Sequence, residues 1–224
     1  MADPNPEQTL ATAPEAPARA STEAVSRILA AAEELFARHG FDAVSMNAIA
    51  EAAAVSKANI FHHFESKNAL YLAVVRGACA DSAERLQRLQ NDGGAIPERL
   101  ADFASSHLKS LLEHDRVSRL ILRELVGEQG APRAQELAEK VFGENFASLV
   151  DIVRTGQRRG ELRDDFDPAM VATLLIGANV FFFESCEVLR HFKEVDFARD
   201  PERYSRMLMD MLLRGIGSGD RTTR

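Results

Sequence analysis

Cysteine and tryptophan are nearly absent from this chain of 224 residues, which has two cysteines, no tryptophan and little glycine or proline after residue 20. Cys79 and Cys186 stand in separate apolar segments, which predicts two buried, reduced thiols and no disulfide framework. The sequence has no Gly-rich phosphate loop and no G-x-S-x-G or H-E-x-x-H segment, and its six histidines lack metal-ligand spacing. We therefore predict no catalytic residue, no metal and no cofactor, and we do not expect an enzyme.

Targeting segments and long hydrophobic runs are also missing. The first 20 residues are rich in Ala and Pro and contain acidic residues but no apolar signal core, which indicates a disordered tail. The longest apolar run, residues 169–183, is too short to span a bilayer and contains Asn179. We expect a soluble, cytoplasmic protein with no membrane partner.

The run from Ser45 to Lys67 predicts two short helices separated by a turn. Ser45 and Ser56 are suitable N-caps, and in the second helix, residues 57–64, Ile60 and Phe64 share one arc. The opposite arc of this helix exposes Ala58, Asn59, His62 and His63, with Lys57 at the helix start. These side chains suit a DNA major groove, because Asn pairs with adenine, Lys reaches guanine or phosphate, and Ala contacts a thymine methyl group.

The segment from Thr22 to Val75 closely resembles the N-terminal domain of TetR-type transcriptional repressors, since it combines a helix, a Gly-Phe turn, the helix-turn-helix and a capped following helix. The resemblance implies an all-α fold with a helix-turn-helix DNA-binding domain over residues 21–75. A linking helix, residues 66–90, would lead to a larger ligand-sensing and dimerisation domain at 91–217. Residues 1–20 and 218–224 would be disordered tails.

Nine residues are the predicted DNA contacts: Ser45, Asn47, Lys57, Ala58, Asn59, Phe61, His62, His63 and Lys67. Two positions depart from the family's pattern. Ala54 stands in the turn where the family usually has Gly, and a left-handed conformation there would cost about 1–2 kcal/mol. Phe61 stands where the family usually has Tyr, so the phenol contact to a phosphate is missing.

Acidic residues outnumber basic residues in the predicted DNA-binding unit. Residues 22–70 have net charge −2, and the whole chain has net charge −7. The basic residues of this segment are Arg27, Arg38, Lys57 and Lys67, and the acidic ones are Glu23, Glu33, Glu34, Asp42, Glu51 and Glu65. Because phosphate neutralisation dominates non-specific affinity, that affinity should be weak. A helical small-molecule-binding or scaffold protein with weak or lost DNA binding therefore remains the alternative.

A second informative composition lies in the helix predicted from Pro168 to about His191, which Asp167 caps. Residues 169–183 are apolar nearly all round, so the helix must be covered on more than one side. We predict that this helix and the last one, Pro201 to Gly215, form a four-helix interface with a second subunit. The predicted interface residues are Leu175, Ile176, Val180, Phe182, Met207 and Met211. A homodimer of this kind would read a palindromic operator.

The larger part of the chain also has the composition of a small-molecule sensor. Its phenylalanines can line an apolar cavity with few polar groups, and an ordinary core remains the simpler interpretation for each of them. The predicted ligand-binding residues are Phe103, His107, Leu111, Leu122, Phe142, Phe146, Asn179 and Phe183, with His107 or Asn179 as the polar anchor. The predicted function is a ligand-responsive repressor that an apolar small molecule releases from DNA.

Overall fold

The computed structural model describes residues 16–91, 93–126 and 133–216, and these residues form helices and no β-strand. The α-helices of these ranges are α1 (Ala16–His39), α2 (Met46–Ala52), α3 (Lys57–His63), α4 (Lys67–Asn91), α5 (Ile96–Glu113), α6 (Asp115–Val126), α7 (Ala134–Leu137), α8 (Gly143–Arg158), α9 (Pro168–Leu189) and α10 (Pro201–Ile216). A π-helical turn, Ala138–Phe142, joins α7 to α8, and a 3₁₀ turn, Phe197–Arg199, precedes α10. The predicted all-α fold is confirmed.

The amino-terminal core is formed by α1, α2, α3 and the first half of α4. Apolar residues at helical spacing on each element converge there, which is how short helices become stable in a folded protein. The largest fully buried members are Ile28, Phe36, Ile49, Ile60 and Tyr71. Because α2 and α3 bury Ile49 and Ile60 inward, their other faces remain available to solvent.

Three residues of the larger part of the chain complete this amino-terminal core. Val117 and Leu120 of α6 and Leu137 of α7 are at most 1% exposed and belong to the same apolar cluster as α1–α4. The unit that carries α2 and α3 is therefore packed directly onto the body of the molecule and is not joined to it by α4 alone.

The body core lies between the second half of α4 and helices α5, α8, α9 and α10. Leu86, Leu100, Leu149, Leu175 and Met209 are among its buried residues. A third, small cluster surrounds Leu108, Phe182 and Cys186, where α9 meets α5 and the ring of Tyr204 stacks on that of Phe182 at a centroid distance of 4.0 Å. These contacts fix the buried face of α9 toward α5 and α8.

The start of α9 agrees with the start predicted from the sequence, whereas the start of α1 does not. Asp167 accepts hydrogen bonds from the N–H groups of Ala169 and Met170, with Pro168 at the first helical position, as predicted. The predicted tail at residues 1–20 is wrong for residues 16–20, because α1 begins at Ala16. The rest of that tail, and the tail predicted at 218–224, lie outside the described residues.

Apolar residues at helical spacing from Leu137 to Val153 predict one long helix from about Pro132 to Arg159, and the structure interrupts it. Pro132 lies outside the described residues, and the π-helical turn stands between Leu137 and Gly143. Glycine is required at the end of this turn, because a Cβ on Gly143 would lie 2.7 Å from the carbonyl oxygen of Ala138. The extra residue of a π turn rotates the two flanking segments relative to each other, so α7 and α8 contact different cores.

Helix α9 has 22 residues and is long and apolar enough to span a membrane. The apolar run at residues 169–183 is shorter than the helix that contains it, so the length of that run does not exclude a span. Core helices of soluble proteins meet the same criteria, and one face of α9 is buried against α5 and α8. The opposite face of α9 is exposed.

Candidate nucleic-acid interface and associated surfaces

Helices α2 and α3 are short, and serine caps define where each begins. The Ser45 hydroxyl accepts a hydrogen bond from the N–H of Ala48 at 3.1 Å, and the Ser56 hydroxyl accepts one from the N–H of Asn59 at 3.1 Å. Both caps have extended backbone conformations. Two capped helices joined by the four residues 53–56 give the arrangement that the sequence predicts for a helix-turn-helix.

The turn between the two helices is a Schellman motif, and Ala54 occupies its left-handed position. The N–H of Val55 donates to the Ala50 carbonyl and that of Ala54 donates to the Glu51 carbonyl, at 3.0 and 3.1 Å. Ala54 has a φ of 51°, and it is the positive-φ residue other than glycine in the described part of the chain. Alanine thus occupies the position where the resemblance leads one to expect glycine, at a cost in backbone strain.

We predict that Ala54→Gly raises the free energy of unfolding by up to about 1 kcal/mol, because relief of the left-handed strain exceeds the added chain entropy. Ala52→Gly is the matched control. It lies at the exposed end of α2 with helical geometry, and it should lower the free energy of unfolding by about 1 kcal/mol. Denaturant melts of both variants measure the difference, and a destabilised Ala54→Gly would contradict the assignment of strain.

The predicted DNA contacts form one surface on α2 and α3. Six of them are exposed: Ser45, Asn47, Lys57, Ala58, Phe61 and His62. Asn59, His63 and Lys67 are partly buried. Phe61 is 45% exposed, and the Lys57 ammonium lies 6.0 Å from the centroid of its ring. The structure therefore places a cation, an aromatic ring and a histidine on the outer face of α3, and their contact with DNA stays a prediction.

The side-chain oxygen of Asn59 is buried, although Asn59 was predicted on the exposed arc of the second helix. No described residue donates a hydrogen bond to this Oδ1 atom. An unsatisfied buried carbonyl costs about 1–3 kcal/mol, so a rotation that brings it to a hydrogen-bond donor is favoured. An adenine N6 amino group is a donor of the required kind.

Lys67 has a structural role that was also not anticipated. Its ammonium donates to the carbonyl oxygens of Phe41, Val44 and Asp42 at 2.7, 2.9 and 3.4 Å, and lies 4.3 Å from the centroid of the Phe41 ring. These carbonyls belong to the turn between α1 and α2. No local pattern predicts these bonds, because the partners are 23–26 residues apart in sequence. A phosphate contact by Lys67 stays a prediction.

The apolar face that α9 presents to solvent differs from the predicted interface. Leu175 and Phe182 are at most 1% exposed and belong to the core, so their assignment to a subunit interface is corrected. The exposed apolar residues of α9 and its C-terminal extension are Met170, Leu174, Phe181, Val188 and Phe192. With Met207 and Met211 of α10, which are also exposed, they form what we call the α9–α10 face, and a subunit contact at these residues stays a prediction. Ile176 and Val180 lie at its border, partly buried.

The predicted effector residues fall into separate groups. Phe103 and His107 of α5 meet Asn179 of α9, and the rings of Phe103 and His107 stack at a centroid distance of 5.5 Å. The ring of Phe183 instead lies 4.9 Å from the guanidinium carbon of Arg119. Leu111 and Leu122 are partly buried. Phe142 instead packs against the amino-terminal core, and Phe146 packs against the body core. The structure thus brings three of the eight predicted residues together at the contact between α5 and α9: Phe103, His107 and Asn179.

Asn179 and His107 form a polar pair inside this apolar contact. The Asn179 amide nitrogen donates to the Ala104 carbonyl at 2.8 Å and lies 3.2 Å from His107 Nδ1. The Ala104 carbonyl can only accept, so the atom facing His107 is the amide nitrogen and Nδ1 must be the acceptor. Burial lowers the pKa of His107 to about 4, so the neutral ring carries its proton on Nε2. The Asn179 Oδ1 atom is buried, and no described residue donates to it.

A polar cleft of about 640 Å³ lies elsewhere, between α4 and the π-helical turn with the start of α8. Arg76, Gln87, Glu139, Asn145 and Cys79 are among the residues that line it, and none of the predicted effector residues does. Burial raises the pKa of the Cys79 thiol to about 11, so the thiol is protonated at neutral pH. Cys79 and Cys186 are both free, as predicted, although Cys79 is only partly buried.

Two capped helices with an exposed second helix, packed onto a larger helical body, define a helix-turn-helix DNA-binding protein. Residues 28–74 match the family of bacterial regulatory proteins described as the tetR family. This match identifies residues 28–74 as a TetR-family DNA-binding domain and supports a TetR-family transcriptional regulator.

Named relatives and solved structures are similar to this chain over most of its length. The HTH-type transcriptional regulator UidR of Escherichia coli is 27% identical over 175 residues, which cover 78% of this chain and 87% of UidR. The structure of FadR from Bacillus subtilis in complex with stearoyl-CoA has a TM-score of 0.69 at 19% identity, covering 85% of this chain and 98% of FadR. SmeT, the repressor of a Stenotrophomonas maltophilia efflux pump, in complex with triclosan has a TM-score of 0.69 at 21% identity, covering 88% and 92%.

Proposed function

We propose that this regulator is a cytoplasmic homodimeric repressor that binds a palindromic operator and is released by an apolar small molecule. The observation that carries DNA binding is the outer face of α3, where Lys57, Ala58 and His62 are exposed on a helix that Ser56 caps. A helix of seven residues covers only a few base pairs, so two copies related by a twofold axis are needed for a specific site. The unpartnered α9–α10 face supplies an apolar surface for that second copy.

The proposed contacts are tested on operator DNA selected from a random pool by the parent protein. Asn59→Ala should cost about 1–3 kcal/mol of operator affinity and relax base preference at one or two positions. Its folding stability should not fall, because the substitution removes a buried oxygen that has no hydrogen-bond donor. Footprints and affinities identical to those of the parent would show that α3 does not read the operator.

The alternative function, a helical ligand-binding or scaffold protein with weak or lost DNA binding, is favoured by the acidic amino-terminal unit and by Phe61. Mobility shifts on selected DNA at low and high salt separate the two functions. A regulator retains a specific complex at physiological salt, whereas residual electrostatic binding disappears as salt rises.

The polar pair of His107 and Asn179 indicates which functional group the effector carries. The neutral ring offers Nε2–H as a donor, and Asn179 Oδ1 offers an acceptor, within a contact made otherwise of apolar side chains. A hydroxyl group can satisfy both atoms, because it donates and accepts. A carboxylate cannot donate and a quaternary ammonium can do neither. We therefore propose an apolar molecule that carries a hydroxyl group; FadR and SmeT, with stearoyl-CoA and triclosan, also bind molecules with large apolar parts.

Three probes with the same alkyl chain test this chemistry: 1-decanol, decanoate and decyltrimethylammonium. We predict that 1-decanol raises the melting temperature and releases operator DNA while the dimer stays intact, since a ligand at 100 times its Kd adds about 2.7 kcal/mol of stability. The other two probes should act more weakly. In His107→Phe, which keeps the stacking on Phe103, the preference for the alcohol should disappear. Equal effects of all three head groups would contradict the hydroxyl proposal.

A further inference from the structure

The turn that leads into α2 is held from two directions, by α4 and by the body. Phe41 lies in this turn, directly after Gly40, which ends α1 with a φ of 81°. The ring of Phe41 packs with Phe36 and Tyr71 at centroid distances of 5.8 and 5.2 Å. Its carbonyl accepts the hydrogen bond from Lys67 at 2.7 Å. The position of Phe41 therefore sets where the cap of α2 begins, four residues later.

The body reaches the same ring through Arg133, the residue before α7. Its guanidinium carbon lies 4.0 Å from the centroid of Phe41 and 5.8 Å from that of Tyr71. A guanidinium at this distance is attracted to the negative face of an aromatic ring. The contact joins residues that are 92 positions apart in sequence, so it connects the body directly to the entrance of the helix-turn-helix.

The residues that follow Arg133 are anchored along α4. Glu136 accepts from the Asn68 amide at 2.7 Å and from Lys140 at 2.9 Å, and these hydrogen bonds lower the pKa of Glu136. Leu137 is fully buried in the amino-terminal core, and Arg76 donates to the Lys140 carbonyl at 3.2 Å. We call residues 133–142 the docking segment. Its last five residues are the π-helical turn, which leads into α8 and the body core.

We propose that the docking segment positions the helix-turn-helix for DNA, and that Arg133 is a positioning residue which acts through the ring of Phe41. Arg133 touches the turn before α2 and is not one of the predicted DNA contacts. Loss of the guanidinium frees Phe41 from the body, and α2 and α3 then sample orientations in which the two recognition helices of a dimer no longer match their half-sites together. Changes in α8 reach α2 through the π-helical turn and this contact.

The test compares Arg133→Met and Arg133→Lys in the full chain, with Arg154→Met as the matched control. Arg154 is a half-exposed arginine of α8 that pairs with Asp151 at 2.7 Å, far from Phe41 in sequence. Arg133→Met should bind selected operator DNA about five- to tenfold more weakly, Arg133→Lys should recover part of that loss, and Arg154→Met should match the parent. The slope of log K against log salt should stay unchanged, because no phosphate contact is lost.

Two further readouts make the proposal falsifiable. In a Phe41→Leu background, Arg133→Met should cause a smaller additional loss of affinity, because the nearer of the two rings that Arg133 contacts is gone. Amide hydrogen exchange without DNA should be faster at residues 41–48 in Arg133→Met but not in Arg154→Met, which tests the proposal even if the parent binds no operator. A salt slope lowered by about one would overturn the proposal in favour of a direct phosphate contact. Unchanged affinity and exchange, or additive losses in the double variant, would overturn it as well.

Discussion

A Phe181→Asp variant should be a folded monomer that has lost operator binding. Phe181 is 66% exposed on the α9–α10 face, so its replacement does not disturb the core of the subunit. In the proposed dimer the carboxylate would be buried in an apolar interface without a partner. A cost of about 3–5 kcal/mol weakens dimerisation by about 100-fold or more. Sedimentation velocity and mobility shift at the same protein concentration measure both consequences.

The neighbouring residue provides the control for this prediction. Phe182 is 1% exposed and packs on Tyr204, so Phe182→Asp should unfold the body rather than separate two folded subunits. Deleting a buried phenylalanine side chain alone costs about 3–5 kcal/mol, and a buried charge adds to that. A Phe181→Asp protein that sediments as a dimer, or a monomer that holds its palindrome as tightly as the parent, would refute the assignment of the α9–α10 face.

A Lys67→Met variant should lose about 2–3 kcal/mol of folding stability, which for a chain of this size corresponds to a fall of about 4–12 °C in melting temperature. The substitution leaves the carbonyls of Phe41 and Val44 without the ammonium that they share and removes the cation from the Phe41 ring. Methionine retains the length and the apolar stem of lysine, so the loss reports on the charge. Thermal and denaturant melts give the values.

Lys57→Met is the matched comparison for Lys67→Met. Lys57 is exposed at the start of α3, and its replacement should change folding stability by less than about 0.5 kcal/mol. Its effect should appear in DNA binding instead, as a salt slope lower by about one. If Lys67→Met melts like the parent and shows the lower salt slope, then Lys67 acts on phosphate as the sequence predicted, and its bonds to the turn contribute little.

Local signals in the sequence predicted much of the fold and of the candidate DNA surface. The caps at Ser45, Ser56 and Asp167 were read correctly, because a cap depends on residues only two or three positions away. The family resemblance pointed to a special conformation at Ala54, and its φ of 51° agrees. The roles of Lys67 and Arg133 were not predicted, since both depend on contacts between distant segments.

The interface residues of α9 were misassigned for a different physical reason. A helix that is apolar nearly all round has no polar face to show which side is buried, so periodicity could not separate Phe181 from Phe182. The π-helical turn was missed because one extra residue shifts the apolar pattern without interrupting it. Only the packing of α7 and α8 against two different cores reveals the shift at Gly143.

Because Val117, Leu120 and Leu137 are buried in the amino-terminal core, the DNA-binding unit is not structurally independent of the body. A DNA-reading segment cut at residue 75 would leave the apolar surface that these three side chains cover in contact with water. Grafting that segment onto the body of another regulator would require the recipient to supply matching side chains at the same three places. The helix-turn-helix can therefore be recognised from a short stretch of sequence, but in this molecule it depends on side chains of the body for its packing.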